Sequence, residues 1–227
     1  MYKLISIVMF MLMTSLSYAN DIYVTQSGAS LDLDITQDGQ NNTVGNSSTS
    51  SASVGASTTL NIDQIGNSNV ITYQIQGATY TGVINLVGNS NNVDLNCDST
   101  GNNSSCGTAN AVINFTGNSN DIDLDIGQTS SASTADVDIV GQSGSDSNVV
   151  AATVDGNSAI LTITINGDTN NYLIDIDGNG DINGHTLIHS HTGGTADVDI
   201  VQSGINDQYI NLTTSGDNHD IDIQQTD

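Results

Sequence analysis

Asp-x-Asp is the commonest grouping of chemically capable side chains in this chain. It recurs at Asp32/Asp34, Asp121/Asp123/Asp125, Asp136/Asp138, Asp175/Asp177, Asp197/Asp199 and Asp220/Asp222. Paired carboxylates can hold a hard cation, or act as acid and base when an apolar surround keeps one protonated. One run goes further. Asp175-x-Asp177-x-Asn179-Gly180-Asp181 places oxygen ligands where an EF-hand-like loop has its first, third and fifth, with Gly at the sixth. Thr186 stands where that loop needs its Glu, so calcium at Asp175, Asp177, Asn179 and Asp181 is an optional ligand, and no cofactor is required. His185, His189 and His191 share one strand parity, with His219 further on. They could hold a transition metal, although their surroundings read as a polar surface loop. Cys97 and Cys106 bracket DSTGNNSS, and an even pair this close in an exported chain reads as a disulfide closing a small loop. A reduced metal pair would need further cysteines, which the chain lacks.

None of this amounts to a catalytic constellation. No Gly-x-Ser-x-Gly elbow or Cys/His nucleophile pair occurs, and no carboxylate pair is singled out by an apolar surround. The chain reads as a non-enzyme. By parity the Asp-x-Asp pairs face outward. If like pairs stack on neighbouring coils at about 5 Å, each costs about 0.8 kcal/mol in water before screening.

The elements that would position these residues follow from composition and spacing. Residues 1–19 read as a secretory signal: Lys3, an apolar run from Leu4 to Leu12, and a small-x-small site at Ser17-Tyr18-Ala19. The run is too short to span a bilayer comfortably, and nothing later replaces it, so no transmembrane segment is expected in the mature chain. Past Lys3 there is no Lys or Arg, every acid is Asp, and the formal net charge is −24. Such a surface repels nucleic acid, because phosphate contacts need Lys or Arg. The best charged helix formers are missing and no 3.6-residue period appears. Total absence of Pro, together with regular Ile/Val/Leu alternation, argues against disorder.

Glycines recur eleven or twelve residues apart, at Gly28 and Gly39, at Gly66, Gly77 and Gly88, at Gly144, Gly156, Gly167 and Gly178, and at Gly204 and Gly216. Between them run alternating stretches such as LDLDITQ and LNIDQ. Where the spacing is twelve, the extra residue belongs in the turn, because inside a strand it would flip every later side chain. A strand of about six or seven residues plus a Gly-centred turn makes each unit, and two units make a coil. The expectation is an all-β fold over residues 20–227: a parallel two-sheet β-solenoid of about eight coils, 22–23 residues each. Leu33, Ile62, Ile71, Ile122, Ile163 and Ile174 belong inside. Insertions are expected near 41–57, 98–109 and 179–195.

Two units carry Gln-x-Gly-x-x-Asn intact, Gln37 to Asn42 and Gln64 to Asn69. Gln also stands two before the marker position at Gln26, Gln142, Gln202 and Gln225, and Asn follows at Asn91, Asn120, Asn148 and Asn170. Inward amides at one place in every coil can hydrogen-bond to their copies above and below, whereas a lone buried amide would lose its water uncompensated. Asn beside Gly could instead serve only to make the turn. The pattern resembles the curlin repeat of curli fibre subunits, which are secreted bacterial amyloids. That resemblance implies an extracellular or cell-surface subunit polymerising end to end for adhesion, biofilm or matrix. It also implies a nucleator subunit and an outer-membrane secretion channel as partners. The chain departs from the family in starting a strand at Ile22-Tyr23-Val24, and in placing Ile75, Leu86, Phe115 and Ile165 where Gln would stand. Two other readings compete: a monomeric calcium-dependent adhesin, and an ice-binding solenoid built on Thr162-x-Thr164.

Overall fold

The computed structural model describes residues 20–39, 41–45, 51–66, 68–88, 90–97, 107–126, 134–156, 158–177, 185–204 and 208–226. The expected signal segment, 1–19, lies outside them. The strands are β1 (Asn20–Ile22), β2 (Thr25–Asp38), β3 (Asn42–Val44), β4 (Ser51–Ile65), β5 (Val70–Val87), β6 (Asn92–Cys97), β7 (Thr108–Thr116) and β8 (Asp121–Ile126). They continue with β9 (Thr134–Gly141), β10 (Val149–Asp155), β11 (Ser158–Asn166), β12 (Asn170–Asp177), β13 (Thr186–Thr192), β14 (Ala196–Ser203), β15 (Tyr209–Ser215) and β16 (His219–Thr226). Every pairing is parallel, and the chain alternates between two walls as it climbs. The fold is an all-β parallel solenoid of two stacked sheets.

The first wall stacks 30–38, 57–65, 79–87, β7, β9, β11, β13 and β15. The second stacks 20–28, β3 with 51–54, 70–76, β6, β8, β10, β12, β14 and β16. Alternation in sequence becomes alternation in burial, as in β8 and β11. β-branched side chains fill the inward positions, where a pleated surface suits their restricted χ1. One column on the first wall reads Ile35, Ile62, Ile84, Ile113, Ile139, Ile163, His189, Leu212. Fully burying one such Ile contributes roughly 1.5–3 kcal/mol. Of the residues expected inside, Ile62, Ile71, Ile122, Ile163 and Ile174 are fully buried and Leu33 is partly so.

The marker glycines have a steric cause. At Gly88 a Cβ would lie 1.5 Å from the carbonyl oxygen of Gly66, and at Gly66 it would lie 1.7 Å from that of Gly39. At Gly66 and Gly88 the turn rests directly on the turn of the previous coil, so no side chain fits at either. At the opposite corner Gly28, Gly55 and Gly77 are in register.

The insertions are narrower than the sequence suggests. β3 and the start of β4 are strand within 41–57, Thr108 opens β7, and 186–192 form β13 inside the stretch expected to loop out. The Ser-rich segment from Ser51 pairs by its backbone from Ser51 opposite Tyr73 to Val54 opposite Gln76, which needs no apolar side chain.

Candidate functional site: amide ladders, a histidine cluster and an open end

On the second wall Asn20, Asn42, Asn69, Asn91, Asn120, Asn148 and Asn170 occupy one column, which passes to Ala196 and His219. From Asn91 onward the amides are chained. Nδ2 of Asn91 donates to Oδ1 of Asn120 at 2.6 Å, Asn120 to Asn148 at 2.8 Å, and Asn148 to Asn170 at 2.8 Å. The same Nδ2 atoms also donate back to the turn carbonyl three residues earlier, Gly88 at 2.9 Å and Gly117 at 2.6 Å. Ladder and turn are thus one device. Asn42 and Asn69 donate to backbone instead, to the carbonyl five residues earlier (Gln37 O at 3.2 Å, Gln64 O at 3.4 Å) and to one on the next coil (Ile65 O at 2.7 Å, Val87 O at 3.5 Å).

The glutamines form two short ladders. Gln64 Nε2 donates to Gln37 Oε1 at 2.6 Å on the first wall, and Gln225 to Gln202 at 2.9 Å on the second. Leu86 follows Gln64 in its column, and Gln64 Oε1 is buried without a partner there. Gln26 pairs through its backbone with Ser53 rather than with another Gln, and its side chain lies outside the described residues. Gln142 is a correction: it is exposed, and Gly141 holds the inward slot. Five positions separate Phe115 from Asn120, but seven separate Gly141 from Asn148, so this turn carries two extra residues. Ser145 takes the marker place, its carbonyl 2.1 Å from where a Cβ of Gly167 would be, while Gly144 has open space around it. The vacancy at Gly141 holds the Phe115 ring: a Cβ there would lie 2.7 Å from Phe115 Cζ.

The histidines are a larger correction. His185, His189 and His191 are all buried: His189 and His191 face inward on β13 rather than on a surface loop, and His185 immediately precedes that strand. His189 occupies the isoleucine column, and His191 occupies the column that Gln37 begins. Its spacing to Gly193 repeats that of Gln37 to Gly39, a signal already present in the sequence. Tyr172 packs edge-on against both rings, with centroids 4.3 Å from His189 and 5.7 Å from His191, and His219 lies 5.3 Å beyond His191. Tyr172 Oη and His191 Nδ1 share a 2.8 Å hydrogen bond. Both ring nitrogens of His189 are buried without partners. Burial, reinforced by His191, lowers the His189 pKa to about 4. Burial also lowers that of His191, helped by His219 and opposed by Asp168.

The acidic pairs face outward, but the register separates most of them. Asp34 accepts from Asn61 at 2.8 Å, Asp63 from Asn85 at 2.6 Å and Asp125 from Asn96 at 3.0 Å. Asp stacks on Asp at Asp94/Asp123, Asp197/Asp220, Asp199/Asp222 and Asp155/Asp177. Burial, then Asp94 and Asp121, raise the pKa of Asp123. Asp175 is an exposed strand residue between Thr153 and Val201, and Asp177 ends the same strand. Asn179 and Asp181 lie outside the described residues, as does Cys106; Cys97 is buried and disulfide-bonded. No group of three or more His, Cys, Asp or Glu that could hold a metal is present among the described residues. Thr162 and Thr164 stand beside Asp138, Ile188, Val140 and Ser190, so no threonine array surrounds them.

At the C-terminal end the inward columns run out uncovered. Ile221 and Ile223 continue the columns of Val198 and Ile200, yet they are 37% and 48% exposed. Ile210 on the first wall is only partly buried, as are Leu31 and Leu33 at the other end.

No protein-family model, no curated protein and no solved structure matches this chain. Among the described residues no helix is long and apolar enough to cross a membrane.

Proposed function

We propose that this protein is a secreted, non-enzymatic structural subunit that assembles end to end into extracellular fibres of the curlin kind, serving adhesion, biofilm or matrix. The observation that carries the reading is the uncovered terminal coil. Ile221, Ile223 and the Gln202–Gln225 ladder end in mid-pattern, beside strand edges whose N–H and C=O groups await another strand. With no Pro in the chain, no residue of that type blocks such pairing. Outward aspartates keep the monomer soluble and make its ends repel, so salt or calcium favours assembly without a dedicated metal site. A nucleator subunit and an outer-membrane channel would complete the system.

Electron microscopy of the purified mature chain, with and without added salt or calcium, tests this. Unbranched fibres with a cross-β spacing near 4.8 Å are expected. A monodisperse monomer under every condition overturns the reading and favours a monomeric binding solenoid.

A further inference from the structure

Both outermost strands of the described residues, 20–28 and β16, lie on the second wall. Among the described residues that wall carries nine strand segments and the first wall eight. If 20–28 of one copy simply lay on β16 of the next, the first wall would have a gap. One strand would be missing between β15 and the neighbour's 30–38. The gap would be lined by Ile210 and Leu212 on one side and Leu33 and Ile35 on the other.

We infer that the partner at this end is a second copy of the chain, joined by strand exchange: β16 of one copy takes the place of 20–28 on the next copy's β3 and β4. The inference rests on the end-to-end reading above. Three observations carry it. The two strands are alike where the register matters: Ile22 pairs with Val44 and Gln26 with Ser53, and β16 offers Ile221 and Gln225 at the same spacing. The exchange closes the first wall, with Leu33 over Ile210, Ile35 over Leu212 and Gln37 over Thr214, the arrangement that every internal coil has. It also relieves charge. Simple stacking would place Asp21 directly on Asp220, which already lies on Asp197, making a column of three carboxylates. After exchange Asp220 faces Thr43, as Asp21 does within the monomer. Like charges directly opposite are unfavourable, and Thr is neutral.

In the monomer, then, 20–28 covers the edge onto which growth occurs. Its release is the step that makes one end competent, and the freed segment leaves the fibre axis with Asp21 and Tyr23.

Thiol cross-linking during growth tests this on the full mature chain, with the Cys97 disulfide left intact. Chains carrying Asp220→Cys are mixed with chains carrying Thr43→Cys, and separately with chains carrying Asp21→Cys. The expected result is a covalent dimer in the first mixture and none in the second. A dimer in the second mixture alone overturns strand exchange in favour of simple stacking while leaving end-to-end assembly standing. Fibres that form without either dimer also overturn the exchange. Absence of fibres from the wild-type chain removes the underlying reading itself. A second variant reads the same step without a partner. Asp21→Cys with Thr43→Cys in one chain ties 20–28 to its own β3, since the two positions are register partners. Elongation should be lost when that tie is oxidised and return when it is reduced, with the wild-type chain carried through the same reductant. Elongation unaffected by the tie overturns the exchange. The axial repeat gives an independent reading, since eight strand spacings per subunit come to roughly 38 Å and nine to roughly 43 Å.

Discussion

Gly88→Ala should be among the most damaging single-methyl additions this chain can suffer, and Gly144→Ala one of the mildest at a marker-spaced glycine. At Gly88 the new Cβ would lie 1.5 Å from Gly66 O and 2.7 Å from its carbon. Reaching even a 3.0 Å approach requires the two turns to part by about 1.5 Å. That movement breaks the bond from Gly66 N to Val87 O, now 2.8 Å, and strains the one from Asn92 N to Asn69 O, now 2.9 Å. A buried backbone group left unpaired costs about 1–3 kcal/mol, so two strained bonds with the backbone distortion come to roughly 3–6 kcal/mol. Gly144, with φ of +83° and no neighbour within 4 Å, has only the left-handed conformation to offend. That costs about 1–2 kcal/mol. Urea unfolding of the monomer at neutral pH, followed by circular dichroism, measures both. If the two variants lose stability equally, turn-on-turn contact is not what selects glycine at the marker position.

Asn120→Ala should cost roughly 2–4 kcal/mol in the same assay. It removes donations to Gly117 O and Asn148 Oδ1 and strips Asn91 of its acceptor, whereas Asn118→Ala on the exposed turn should cost under about 1 kcal/mol. His189→Leu should stabilise the neutral-pH fold by removing two unpartnered ring nitrogens. It should also flatten its pH dependence. The wild-type imidazole has a folded pKa near 4 against 6.5 when free, so the unfolded chain binds the extra proton and stability falls as pH drops through that window. The loss is roughly 3 kcal/mol over the window, and thermal melts at stepped pH that show the same slope in both proteins would count against it. Asp123→Asn should stabilise at pH 7 and make no difference in strong acid. Burial first, then Asp94 and Asp121, raise the folded carboxyl, so the penalty on its charge is present above the folded value and disappears as protonation neutralises it; paired melts at the two extremes decide.

The solenoid was legible in the sequence because a two-residue period, glycine spacing and turn-confined insertions all constrain one another. The parity of Leu31, Leu33, Ile35 and Gln37 carried straight into the structure. Gln142 was not legible, since two extra turn residues shift which glycine meets the coil below, and only the Phe115–Gly141 contact reveals it. Nor was the start of β4: Ser and Ala carry little strand preference, and their pairing is set by Tyr73 to Gln76 on the coil above. The histidines misled for a different reason. Imidazole is usually solvated, so polarity outweighed the alternation that placed His189 in an isoleucine column.

The ring of Phe115 lying in the space left by Gly141 has a consequence for how such a chain can change length. Most coils of a solenoid are interchangeable, so copies can be gained or lost singly without harm to their neighbours. These two are not. Losing the Gly141 coil alone would set Phe115 against Ile165 with no room between them, and losing the Phe115 coil alone would leave Gly141 beneath Leu86 around an empty space. Lineages that lengthen or shorten this protein should therefore carry the two coils together, as a couplet inherited whole, while the coils on either side come and go one at a time.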